Sequence, residues 1–148
     1  MSYQERQSLV SLISSILINT LYAAYMAGRY PQADPYSPEV FHFWGSFFLI
    51  LIPVTIVAKI VSYILFSILN AIATREAEPP ITDERDRLIE LKSTRSSLYI
   101  FSLGFVVAMA ALVFSLPPAA MFIILLCSGL VAEMFSDISQ FFFYRRGV

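Results

Sequence analysis

The sequence is poor in the residues that build reaction centres: one cysteine, Cys127, and one histidine, His42, among 148 residues. A lone cysteine excludes a disulfide scaffold and a dithiol redox couple. Metal centres need several convergent His, Cys or carboxylate ligands, and this supply cannot assemble one inside the chain. A pigment or haem ligand at His42 is the alternative to a structural imidazole in an aromatic belt, and the structural role is expected. No glycine-rich phosphate loop and no Ser-His-Asp set can be drawn. The expectation is therefore a protein that is not an enzyme, with no metal and no cofactor.

Charge is scarce as well. Ten Lys+Arg stand against eleven Asp+Glu, 14% of the chain together, which leaves no basic footprint for nucleic acid. What is abundant is apolar surface: 57% of residues are hydrophobic, and the mean hydropathy is +0.69. Soluble domains carry roughly 45–50% apolar and about 25% charged residues. The excess is too large for a soluble core and excludes disorder, so the chain reads as an integral membrane protein whose first partner is the lipid bilayer.

A hydrocarbon layer of ~30 Å takes about 20 residues per helix. Four spans fit, at roughly 8–27, 41–73, 96–115 and 119–144, within a single transmembrane domain covering 1–148. The expected fold is all-α, a four-helix bundle. The first span resembles a secretory signal in length, but Tyr25 before Ala27 and Tyr22 before Ala24 are too bulky for a cleavage site, so it is expected to be retained.

Basic residues collect on the cytoplasmic side of short loops. With both termini inside, that side holds Arg6, Arg75, Arg85, Arg87, Lys92, Arg95, Arg145 and Arg146, eight residues, and the other holds only Arg29. Aromatic residues mark both boundaries: Tyr30, Tyr36, Phe41, Phe43 and Trp44 on the outer side, Phe141, Phe142, Phe143 and Tyr144 on the inner. The orientation expected is N-in and C-in. The outer loop before the second span has three prolines in eight residues and reads as extended, and Pro117-Pro118 makes the other outer connection tight.

The only sizeable polar segment lies between the second and third spans. Pro79-Pro80 breaks one helix, and Thr82 or Asp83 can cap the next. Asp83 and Glu84 are spaced to pair with Arg87. Helix three is expected to begin near Asp83 and to project into the cytoplasm beside the extended end of helix two, as a helical hairpin over roughly 74–95. Asp83, Glu84, Arg85, Asp86, Arg87, Lys92 and Arg95 are then either a solvated helix extension or a docking surface for a cytoplasmic partner.

Three ionisable residues fall inside spans: Lys59, Glu133 and Asp137. Each costs about 2.5–3.5 kcal/mol at the centre of a helix, so each needs a protein or water neighbour. Lys59 and Glu133 both lie fourteen residues past plausible outer boundaries at Gly45 and Ala119, ~21 Å at helical rise. An ion pair between them is expected, with Asp137 one turn below Glu133 and Asn19 near mid-depth on the first helix as a possible neighbour. Three roles stay open: a packing ion pair, a proton or ion pathway, and a contact with another subunit.

The two halves also share short matches. IVAKIVSYI at 56–64 aligns with LVAEMFSDI at 130–138, and QERQSLVSLIS at 4–14 with DERDRLIELKS at 83–93. A duplication would make the repeats parallel, related by an axis along the membrane normal, with Lys59 and Glu133 as symmetry mates. Small-xxx-small spacings at Ala23/Ala27, Ala24/Gly28 and Gly104/Ala108 are expected packing faces.

The stretch Asp83-Glu84-Arg85-Asp86, followed by Ile89, Lys92 and Arg95 just before a span, resembles small predicted four-helix prokaryotic membrane proteins of the domain-of-unknown-function class. The likeness covers about thirteen residues and the hairpin order of spans. It implies a prokaryotic inner membrane and carries no activity. Four-helix membrane enzymes of glutathione and eicosanoid metabolism have similar size, but their Glu-Arg-x-x-x-Asn motif is unmatched, since Ile89 stands where Asn is required. The function expected is an accessory or interaction subunit, bound to another membrane protein or to copies of itself. The rival is a small ion- or proton-coupled transporter, or an oligomeric channel, using Lys59, Glu133 and Asp137.

Overall fold

The computed structural model describes residues 3–74 and 83–146. Those residues form four α-helices: α1 (Tyr3–Ala27), α2 (Pro38–Thr74), α3 (Glu84–Val113) and α4 (Pro118–Arg146). All four are long and apolar enough to cross a membrane, which makes the chain a multi-pass membrane protein by length and composition.

Each boundary has a local cause. Pro38 opens α2, where its missing N–H is no loss, and the loop before it is held by Asp34, which accepts from the backbone of Tyr36 at 3.0 Å and of Ser37 at 2.9 Å. Pro53 does not end α2: two residues on, the Thr55 hydroxyl donates to the carbonyls of Leu51 and Ile52, and the helix continues to Thr74. The α3–α4 connection closes as a Schellman turn. Ser115 sits in the left-handed region at φ 59°. The amides of Ser115 and Leu116 bond back to Leu112 and Ala111, each at 3.0 Å.

Asp83 caps α3 through a reciprocal box. Its carboxylate accepts from the Glu84 amide at 2.7 Å, and the Asp86 carboxylate accepts from the Asp83 amide at 3.3 Å. The carboxylate expected to pair with Arg87 is thus engaged with backbone at the helix start. The Pro79-Pro80 turn and Thr82, the other candidate cap, lie outside the described residues.

The helices stand side by side in the order α2, α1, α4, α3. Extensive contacts join α3 to α4, α4 to α1 and α1 to α2, and α2 touches α4 only slightly. Among the described residues no Cα of α2 lies within 8 Å of α3. The N-terminal end of α3 lies on α4, and the connecting part of the hairpin expected over 74–95, at 75–82, lies outside the described residues. The lack of α2–α3 contact removes the two-fold arrangement that a parallel duplication implies. Such an axis would exchange α1 with α3 and α2 with α4, making α2 and α3 as close as α1 and α4.

Two features hold the row together. At the end that bears the α1–α2 and α3–α4 loops, labelled outer by the expected orientation, Met26, Val40, Trp44 and Phe47 form a buried cluster, and Trp44 stacks on Phe122 of α4 with ring centroids 5.4 Å apart and planes 12° from parallel. The Tyr22 hydroxyl donates to the Phe47 carbonyl at 2.9 Å, fixing α1 to α2. Between α3 and α4, Gly104 faces Ser128 so closely that a Cβ would overlap the serine side chain, and Ala108 is fully buried one turn on. The Ala24/Gly28 pair on α1 is exposed, and Ala27 likewise.

Candidate functional site

A polar stripe runs down α1. Ser8, Ser11, Ser15 and Asn19 recur at spacings of three and four, which places them on one helix face. Ser8, Ser15 and Asn19 are buried. Facing them on α4, Glu133 and Asp137 are four residues apart and also share a face.

The two stripes meet. Ser15 donates to a Glu133 carboxylate oxygen at 3.0 Å, and Ser11 lies 3.2 Å from both oxygens of Asp137. From the other side, Lys59 of α2 forms an ion pair with Glu133. Glu133 is therefore held by an ammonium from α2 and a hydroxyl from α1, while Asp137 is buried, bonded to Ser11 of α1 and within reach of the Lys59 charge. Asn19 stays one step outside this set: its amide donates to the Ser15 carbonyl within α1 at 2.8 Å.

The pair is not sealed from its surroundings. The Lys59 side chain is 47% exposed and that of Glu133 23%, because the missing α2–α3 contact leaves a groove with α4 as its floor. Toward the outer end the groove widens into a cavity of about 520 Å³ lined by Phe48, Phe101, Phe105, Phe122 and Leu126. Toward the inner end a second cavity of about 420 Å³ is lined by Lys59, Thr94, Ser97, Glu133, Ser136 and Gln140. Phe101, Gly129 and Glu133 belong to the walls of both. On the far side of Lys59, a cavity of about 300 Å³ between α1 and α2 is lined by Gln7, Ser11, Ser14, Ser62 and Tyr63.

The inner end of α3 divides its charges between two faces. Ile89 and Ser93 are buried. On the same side Asp86 stands beside the Tyr144 hydroxyl, with Arg85 nearby, and the Lys92 ammonium lies 6.0 Å from the Phe143 ring. Arg95 turns along its own helix to the Tyr99 hydroxyl at 3.2 Å. Glu84 and Arg87 are on the opposite side with Leu88, Leu91 and Thr94, around a shallow open depression. Leu88 is 57% and Leu91 66% exposed there.

Sequence reasoning missed Ser11 and Ser15, although the α1 stripe that places them was readable as a polar repeat. It also missed the hydroxyls and amide at Thr94, Ser97, Ser136 and Gln140, which gain meaning only from the groove. Among the described residues no three His, Cys, Asp or Glu side chains cluster to hold a metal ion. His42 and Cys127 are both exposed and stand apart from the ion pair. No family model matches the chain, and no curated protein or solved structure matches it.

Proposed function

We propose that the protein is a non-enzymatic accessory subunit of the inner membrane of a prokaryotic cell, with both termini cytoplasmic. The eight-to-one distribution of basic residues supports that orientation. The observation that carries the reading is the open face of α3. About 20 residues of this helix suffice to cross the hydrocarbon, so a 30-residue α3 that ends in a tight outer turn extends ~15 Å past the inner boundary. On that extension Leu88 and Leu91 stand side by side at more than half exposure, ringed by Glu84, Arg87 and Glu90. An apolar centre with a charged rim is the composition of an interaction surface. The partner is a cytoplasmic domain or loop of another membrane protein.

Leu88→Glu with Leu91→Glu tests this. Affinity purification of the full chain should lose its copurifying protein in the double variant while helix content and detergent stability stay unchanged. Retention of the same companion at wild-type level contradicts the reading.

One observation favours the second reading, an ion- or proton-coupled transporter or oligomeric channel. Lys59 lines both the α1–α2 cavity and the inner cavity of the α2–α3 groove, so its ammonium stands between two pockets that each carry hydroxyl groups. Flux across vesicles containing the purified chain, abolished by Lys59→Met together with Glu133→Leu, would establish this reading against the first.

A further inference from the structure

The α2–α3 groove is graded along its length. Its outer half is lined mainly by aromatic and aliphatic side chains, with Asn19 and Thr55 among them, and its inner half mixes hydroxyls, an amide and ionised groups with Leu98, Phe101 and Ala132. The order of polarity, polar groups on the Lys59 side and an apolar lining that runs past the bilayer centre to Phe48 and Phe122, suits a phospholipid of the leaflet on the Lys59 side whose headgroup is drawn inward.

We propose that this groove is a binding site for one zwitterionic, amine-bearing phospholipid of that leaflet. Its acyl chain lies along Phe48, Phe101, Phe105 and Phe122. Its headgroup is drawn in to the depth of the Lys59–Glu133 pair. Thr94, Ser97, Ser136 and Gln140 make no side-chain hydrogen bond among the described residues, so their donors are free for phosphate and ester oxygens.

Charge selects the headgroup. The polar end holds two carboxylates, Glu133 and Asp137, against one ammonium, Lys59. An anionic lipid would add a further negative charge in a poorly solvated place, where like charges are most costly. An ethanolamine headgroup brings a phosphate for Lys59 and an ammonium for the surplus carboxylate, and several donors from its primary amine. The site depends on the membrane location and shares only Thr94 with the depression around Leu88 and Leu91.

Gly129 makes the proposal testable. It lines both cavities, and a Cβ built there meets nothing within 4 Å, so a side chain at this position starts into the open groove. The full chain, equilibrated in bilayer discs of equimolar palmitoyl-oleoyl phosphatidylethanolamine and phosphatidylglycerol, is released into mild detergent and weighed by native mass spectrometry. One phospholipid per chain should be retained, with phosphatidylethanolamine at least about tenfold over phosphatidylglycerol. Gly129→Leu should cut retention at least about tenfold at unchanged helicity, and Ile52→Trp, filling the groove from α2, should do the same. Asp137→Asn, which removes the surplus negative charge, should bring the two lipids toward parity.

Retention of lipid by both filled variants at wild-type level overturns the site. Equal retention of the two lipids by the wild-type chain overturns the headgroup assignment. A lipid-free dimer that Gly129→Leu converts to monomer also overturns the proposal, because a second copy then covers the groove.

Discussion

Lys59 of α2 and Glu133 of α4 form an ion pair although their two helices have little backbone contact. The lysine reaches across the edge of the groove to a carboxylate that α1 already holds through Ser15. The outer end of the same helix pair is fixed by the Trp44–Phe122 stack. Two side-chain contacts at different depths thus tie α2 to α4, and from Phe48 to Ala73 no α2 residue is buried.

Gly104 should be the least tolerant position of the α3–α4 interface. A methyl group there overlaps the Ser128 side chain, and the Ser128 Cα lies 3.5 Å away, so the helix axes must separate. Overpacking of this kind costs about 1–3 kcal/mol. Gly104→Ala should lower stability by that amount in a denaturation series in detergent or lipid, and adding Ser128→Gly should restore most of it. Equal losses in the single and double variants would show that the helices do not meet there.

The α3–α4 turn carries removable strain. Ser115 adopts a left-handed conformation, which costs a non-glycine residue roughly 1–2 kcal/mol. Glycine is less constrained there, although it has more freedom to lose on folding. Ser115→Gly should therefore raise stability by about 1 kcal/mol, read as a higher midpoint of thermal unfolding. A lower midpoint would place the turn in another conformation.

Asp83 should govern the start of α3. Replacing an aspartate cap by alanine costs about 0.5–2 kcal/mol. With Asp83→Ala, amide exchange at residues 84–87 should accelerate, while exchange near Ala108, deep in the helix, stays unchanged. Unaltered exchange in the first turn would mean that the box with Asp86 contributes nothing.

Helix number was legible because each span is a long apolar run closed by Pro, Gly or charge, and the depth match of Lys59 and Glu133 was legible because helical rise converts residue counts into height. Lateral order was not. In lipid the outward faces are as apolar as the inward ones, so hydrophobic periodicity does not say which helix faces which. Sequence order suggests α2 as the neighbour of α3, and it takes the close fit at Gly104 and Ala108 to show that α3 packs on α4. The short matches between the halves suggested a symmetry that the row of helices lacks. Ser11 and Ser15 were visible as a stripe, but serine in a membrane helix often bonds only to its own backbone, as Ser8 does to Gln4.

The central claim is that Lys59 and Glu133 meet within the membrane, and a double-mutant cycle on unfolding in lipid tests it most directly. Lys59→Met strands a carboxylate, Glu133→Leu strands an ammonium, and each should cost about 2–3 kcal/mol. Removing both leaves neither charge behind, so the double variant should be more stable than either single one, with a coupling of at least about 1 kcal/mol. Strictly additive losses would contradict the account.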